Sequence, residues 1–125
     1  MNENIKNEKR LISNGQDFDR LLEEKDALFV LFSNDDCGYC QIAEKNINEV
    51  IDSFPKLKLY KLKLSDAPEI FERYGIKSVP VSKVFKAGEA VYTGFGVRSP
   101  NDLYYQLQSY FGSGNSYFQE LDDNN

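Results

Sequence analysis

The chain contains no histidine and no tryptophan, one methionine, and only two cysteines in 125 residues. Without histidine there is no Ser-His-Asp or Cys-His nucleophilic arrangement and no imidazole to hold zinc or iron. Two cysteines cannot close a structural zinc site within one chain, so no metal is expected. No apolar run approaches the roughly eighteen residues that span a bilayer, and Met1–Arg10 lacks the apolar core of a secretory leader. The chain as given is therefore expected in the cytoplasm and away from membranes; a trimmed leader would place it outside the cytoplasm instead. A net charge of −5 leaves no broad basic surface for nucleic acid.

What is present suffices for one hydrophobic core, since 41% of the residues are hydrophobic and the length suits a single domain. Residues 1–10 read as a polar lead-in, 11–111 as the domain, and 112–125, rich in Gly, Ser, Asn and acid, as a flexible tail.

Leu11-Ile12 suits a short edge strand, and Asn14-Gly15 opens a first helix carrying Phe18, Leu21 and Leu22. Ala27–Phe32 is an unbroken apolar run of strand length, the pattern of a strand buried on both faces. A polar loop, Ser33–Asp36, then leads into a long helix marked by Cys40, Ala43, Ile47, Val50, Ile51 and Phe54, with Pro55 as its stop. Leu57–Leu64 is a second strand, parallel to the first because a helix joins them. Ser65 or Asp66 caps a third helix that holds Pro68 in its first turn and Gly75 just past its end. Val79–Phe85 and Glu89–Thr93 form an antiparallel hairpin about Lys86-Ala87-Gly88, and Ser99-Pro100 starts a last helix. The order implies an α/β fold with a mixed sheet of four or five strands between helices, in three layers.

The chemistry concentrates at Cys37-Gly38-Tyr39-Cys40. Cys37 follows a buried strand and opens a helix, where free backbone N–H groups and the helix dipole favour a thiolate. Cys40 lies close enough to bridge to it. Two buried structural thiols are the plainer alternative for the same spacing.

With these residues in view, the sequence resembles the thioredoxin family from about Asp17 to Phe111. Besides the Cys-Gly-Tyr-Cys run, Tyr74-Gly75-Ile76-Lys77-Ser78-Val79-Pro80 is similar to the family's approach to its cis-proline, and Phe85-Lys86-Ala87-Gly88-Glu89 to its hairpin. Gly96 falls where the family keeps a glycine beside the active site. The resemblance implies a thioredoxin-like fold and an enzyme, a thiol–disulfide oxidoreductase, with Cys37 as nucleophile and Cys40 as resolving cysteine. Gly38, Tyr39, Asp36 and Lys61 would support them, and Val79, Pro80 and Gly96 would bind substrate. It further implies no cofactor beyond the cysteine pair, disulfide-containing protein substrates, a recycling partner like thioredoxin reductase, and a monomer. A thioredoxin-fold binding module, or a disulfide oxidase or isomerase outside the cytoplasm, stays open as an alternative.

Several residues depart from the family. Phe32–Asp36 replaces its tryptophan-rich approach, and Asp35 and Asp36 bring negative charge beside Cys37, which opposes ionisation of its thiol. Leu31 stands where thioredoxins bury an aspartate near the resolving cysteine. Lys61 matches the family lysine there; it either reaches toward Cys40 or extends along the surface. Tyr39 resembles the second linker residue of glutaredoxins, but Gly94–Arg98 lacks their paired glycines, so glutathione dependence is not expected. Lys45 replaces a helix-kinking proline, and a straight helix should follow.

Overall fold

The computed structural model describes residues 10–112. The expected lead-in and tail therefore lie outside the described residues, apart from Arg10 and Gly112. Five strands and four helices follow in the order β1 (Leu11–Ile12), α1 (Gly15–Glu24), β2 (Ala27–Ser33), α2 (Gly38–Ile51), β3 (Leu59–Lys63), α3 (Pro68–Arg73), β4 (Val81–Lys86), β5 (Glu89–Phe95) and α4 (Pro100–Phe111). The strands form one mixed sheet in the order β1-β3-β2-β4-β5. β1, β3 and β2 run parallel, whereas β4 is antiparallel to both β2 and β5.

Strand alternation in β2 explains the three layers. Phe29 and Leu31 face Ala43, Ile47 and Val50 of α2 and Leu103, Leu107 and Phe111 of α4. Leu28, Val30 and Phe32 face the other way, onto Phe18 of α1 and Ile70 and Phe71 of α3. A run apolar at every position is what a strand needs when both its faces are covered. Each such side chain taken from water contributes about 1.5–3 kcal/mol, so β2 anchors both half-cores.

The helix starts follow capping chemistry. The Asn14 side chain accepts the Asp17 N–H at 2.8 Å, and Ser99 accepts that of Asp102 at 3.1 Å ahead of Pro100. At the end of α3, Gly75 takes the expected left-handed conformation at φ 66°, while the Ile76 N–H reaches back to the Phe71 carbonyl.

Other boundaries differ from the sequence reading. α2 ends at Ile51 rather than at Pro55, because the Ser53 and Phe54 N–H groups tighten onto the Val50 and Ile51 carbonyls and turn Phe54 into the core. The residue before proline resists helical geometry, so the break precedes the proline itself. Neither Ser65 nor Asp66 caps α3: both lie in a short 3₁₀ turn, Leu64–Asp66, and Ala67 occupies the cap position without a side-chain bond. β3 is correspondingly shorter than Leu57–Leu64. β4 begins at Val81 rather than Val79, since Ser78 and Val79 lie on a bend ahead of the strand, with the Val79–Pro80 peptide cis, and β5 runs on past Thr93 to Phe95. No helix among the described residues is long and apolar enough to cross a membrane.

Candidate functional site

Sheet register gathers the sequence-predicted residues at one end of the molecule. Phe32 pairs with Leu62 on β3 and with Val81 on β4, so the loop that follows β2 emerges between the end of β3 and the start of β4. That loop carries Asp35, Asp36 and Cys37. Val79-Pro80 immediately precedes β4, and Gly96 immediately follows β5, its N–H donating to the Pro80 carbonyl at 2.9 Å. The Gly96 backbone sits at φ 73°, a conformation open to glycine at little cost. Asn46 of α2 then holds the next stretch of chain, its side-chain amide donating to the Arg98 carbonyl at 2.9 Å.

Cys37 is the N-cap of α2 and joins Cys40 in a disulfide, with the two Cα atoms 5.2 Å apart. Its Sγ accepts the Cys40 backbone N–H at 3.1 Å, and its carbonyl accepts the Gln41 N–H at 3.2 Å. A sulfur in this position answers a donor left unpaired by the first helical turn, and α2 adds its positive end without an acidic side chain in that turn. Cys37 is partly exposed whereas Cys40 is only 4% exposed, so the two cysteines of the pair differ in their access to solvent. The linker is open to partners: Gly38 is exposed and Tyr39 is 71% exposed.

Asp36 reaches a left-handed backbone, φ 55°, which aspartate tolerates better than most residues, and this turn aims the chain into the helix. Asp35 is paired with Lys63 at the end of β3, Nζ to Oδ1 3.2 Å, which offsets part of the negative charge expected beside Cys37. A cleft of about 190 Å³ opens here between the loop, α2 and β3; Asp36, Cys37, Cys40, Glu44 and Lys61 are among its walls.

Lys61 turns toward α2, on the side of the sheet shared with Leu59, and binds Glu44 with Nζ 3.2 Å from Oε1. The lysine side chain is 38% exposed and the glutamate 29%, so Lys61 neither lies along the open surface nor is sealed. Sequence reasoning did not single out Glu44. Its signal was a carboxylate four residues after Cys40, between the core positions Ala43 and Ile47 of the same helix. α2 runs unbroken through Lys45.

The sequence profile of the family described as Thioredoxin matches residues 9–109. The chain belongs to the thioredoxin family. A thioredoxin of Pyropia yezoensis is 33% identical over 75 residues, covering 59% of this chain and 70% of its own length. A thioredoxin of Rickettsia felis is 32% identical over 84 residues, covering 66% and 80%. The match to thioredoxin-2 of Pyricularia oryzae spans about half of that protein, 52%, at 29% identity. Among solved structures, thioredoxin of Plasmodium falciparum superposes with a TM-score of 0.72 at 24% identity, covering 81% of this chain and 98% of its own. Oxidised mitochondrial thioredoxin 3 of Saccharomyces cerevisiae does so at 0.70 and 20%, covering 79% and 92%. Those two show the shared fold. Cys37 and Cys40 are thus the CxxC pair, at disulfide distance, of a thioredoxin-family thiol–disulfide oxidoreductase.

Proposed function

We propose that this protein reduces disulfides in protein substrates by dithiol–disulfide exchange, with Cys37 attacking and Cys40 resolving. The observation that carries the reading is the asymmetry of the pair, a partly exposed cysteine at the N-terminus of α2 bonded to a buried one. The Cys37 thiolate attacks one sulfur of the substrate disulfide and expels the other as a thiolate, forming a mixed disulfide. Cys40 then attacks Cys37, closes the intramolecular disulfide and releases the second substrate sulfur. Two electrons pass from the pair to the substrate, so the chemistry needs no cofactor beyond the cysteines.

Gly38, Tyr39 and Asp36 shape the mouth of the site, and Lys61 stands at its inner wall. The Val79-Pro80 backbone and Gly96 receive an extended stretch of substrate chain, since the bend before β4 leaves Val79 outside the sheet ladder. A reductase needs its own pair restored, which assigns a partner like thioredoxin reductase and a working place in the reducing cytoplasm. The protein acts as a monomer in this scheme.

Reduction of insulin by dithiothreitol tests the proposal in the parent, Cys37→Ser and Cys40→Ser proteins. The parent accelerates precipitation of the reduced chains, Cys37→Ser loses the acceleration, and Cys40→Ser accumulates a mixed disulfide visible on non-reducing gels. Equal rates in all three proteins would leave only a binding role.

A further inference from the structure

The resolving step carries a proton problem that the core residues do not solve. Only a thiolate attacks a disulfide, and burial in apolar surroundings disfavours the charged form of the thiol. Cys40 is 4% exposed, and the sheet offers Leu31, fully buried with Ala43 and Ile47 of α2, in place of any acid. A proton acceptor must therefore come from elsewhere within reach of Cys40.

Glu44 satisfies the geometry. Four residues further along α2, it shares a helix face with Cys40, and side chains at that spacing start about 5–6 Å apart at Cβ. Its carboxylate is held by Lys61 Nζ at 3.2 Å, and Glu44, Lys61 and both cysteines line the same cleft. At about 190 Å³ the cleft accommodates several waters, each occupying about 30 Å³. Of the other charged groups on this side, Asp35 is occupied by Lys63, Asp36 lies on the exposed loop, and Arg10 borders the adjoining hollow with Glu44 and Lys61.

We propose that Glu44 accepts the Cys40 proton during resolution, through water in this cleft, and that Lys61 is the positioning residue holding the carboxylate there. The proposal rests on the reading of Cys37 as attacker and Cys40 as resolver. As the proton leaves Cys40 for Glu44, the sulfur's electron pair forms the bond to Cys37 Sγ. The bond from Cys37 to the substrate sulfur breaks, and that sulfur departs with its electrons and takes a proton from water. Glu44 later returns its proton to solvent.

Stopped-flow reaction of the reduced protein in excess over dithiobis-nitrobenzoate separates the two steps. The first chromophore released reports attack by Cys37, and the second reports resolution by Cys40. Glu44→Gln leaves the first phase unchanged and slows the second about tenfold at neutral pH. The gap narrows steadily as pH rises beyond the ordinary thiol range of about 8.5, because hydroxide then takes the proton that Glu44 otherwise accepts. Lys61→Met slows the same phase by a smaller factor. A second phase equal to the parent's at neutral pH in Glu44→Gln, or slowed by one constant factor at every pH, would overturn the proposal. A parent protein without a first phase faster than free thiol would instead defeat the assignment of Cys37.

Discussion

Val81 and Phe95 face each other across β4 and β5, yet Val81 is 4% exposed and Phe95 is 72% exposed. Val81 belongs to the core formed with α1 and α3, while β5 is the edge strand of the sheet and its last side chain projects past that cover. The adjoining Gly96 is bonded to Pro80, so an exposed aromatic ring stands beside the backbone assigned to substrate. Large rings at the centre of an interface commonly carry much of its binding energy.

Replacement of Phe95 by alanine should consequently raise KM for a protein disulfide by about three- to tenfold, the loss of roughly 1 kcal/mol of contact. The rate of Cys37 with a small aromatic disulfide should stay as in the parent. Unfolding in urea should be nearly unaffected, because the ring is already in water. An unchanged KM for insulin would remove Phe95 from the docking surface.

Asp19 of α1 and Arg73 at the end of α3 form a two-point contact at 2.7 and 3.2 Å. The hydrogen bonds from Arg73 hold the Asp19 carboxyl below its usual range, against a smaller opposing effect of burial. A carboxylate with a lowered folded pKa adds stability above its unfolded pKa, and the contribution fades as pH falls through the folded one. Both side chains are nearly half exposed, 49% and 43%, so solvent screening reduces the pair to about 0.5 kcal/mol. Asp19→Asn should lose that amount in urea unfolding at neutral pH and match the parent in strong acid. A difference that persisted at the lowest pH would show that the loss is not electrostatic.

The hairpin between β4 and β5 turns through Ala87 and Gly88 with positive φ at both, 52° and 83°. Two-residue turns of this hand favour asparagine followed by glycine, and alanine bears a steric cost that asparagine tolerates better. Ala87→Asn should raise stability by about 0.5 kcal/mol, seen as a higher melting temperature with unaltered exchange kinetics. A lower Tm would contradict the turn geometry.

Local signals carried much of the fold. The apolar run of β2 required cover on both faces, the Asn14 and Ser99 caps dictated where helices start, and the Cys37–Cys40 spacing just past a buried strand located the redox pair. The glycine in the hairpin was legible for the same reason, whereas the left-handed Ala87 was not, since alanine gives no hint of such a backbone. Phe54 continues the helical spacing of apolar residues in α2, but it reaches the core from a turn after the helix has ended at Ile51. Val79 has the chemistry of a strand residue but sits on a bend, so sequence alone places the start of β4 two residues early.

Glu44 marks the limit of sequence reading in the site. On its own helix it is one charged residue among several, and Lys61 is one of four lysines in and just before β3. They became partners only when the parallel register set Lys61 opposite Leu31 and turned it toward α2. Sequence alone determined the pair of sulfurs and the strand-to-helix step that presents them, because capping, periodicity and covalent reach act over a few residues. Tertiary structure decided which charges share a cleft with those sulfurs, because that depends on strand order and side-chain direction, which no short stretch of chain encodes.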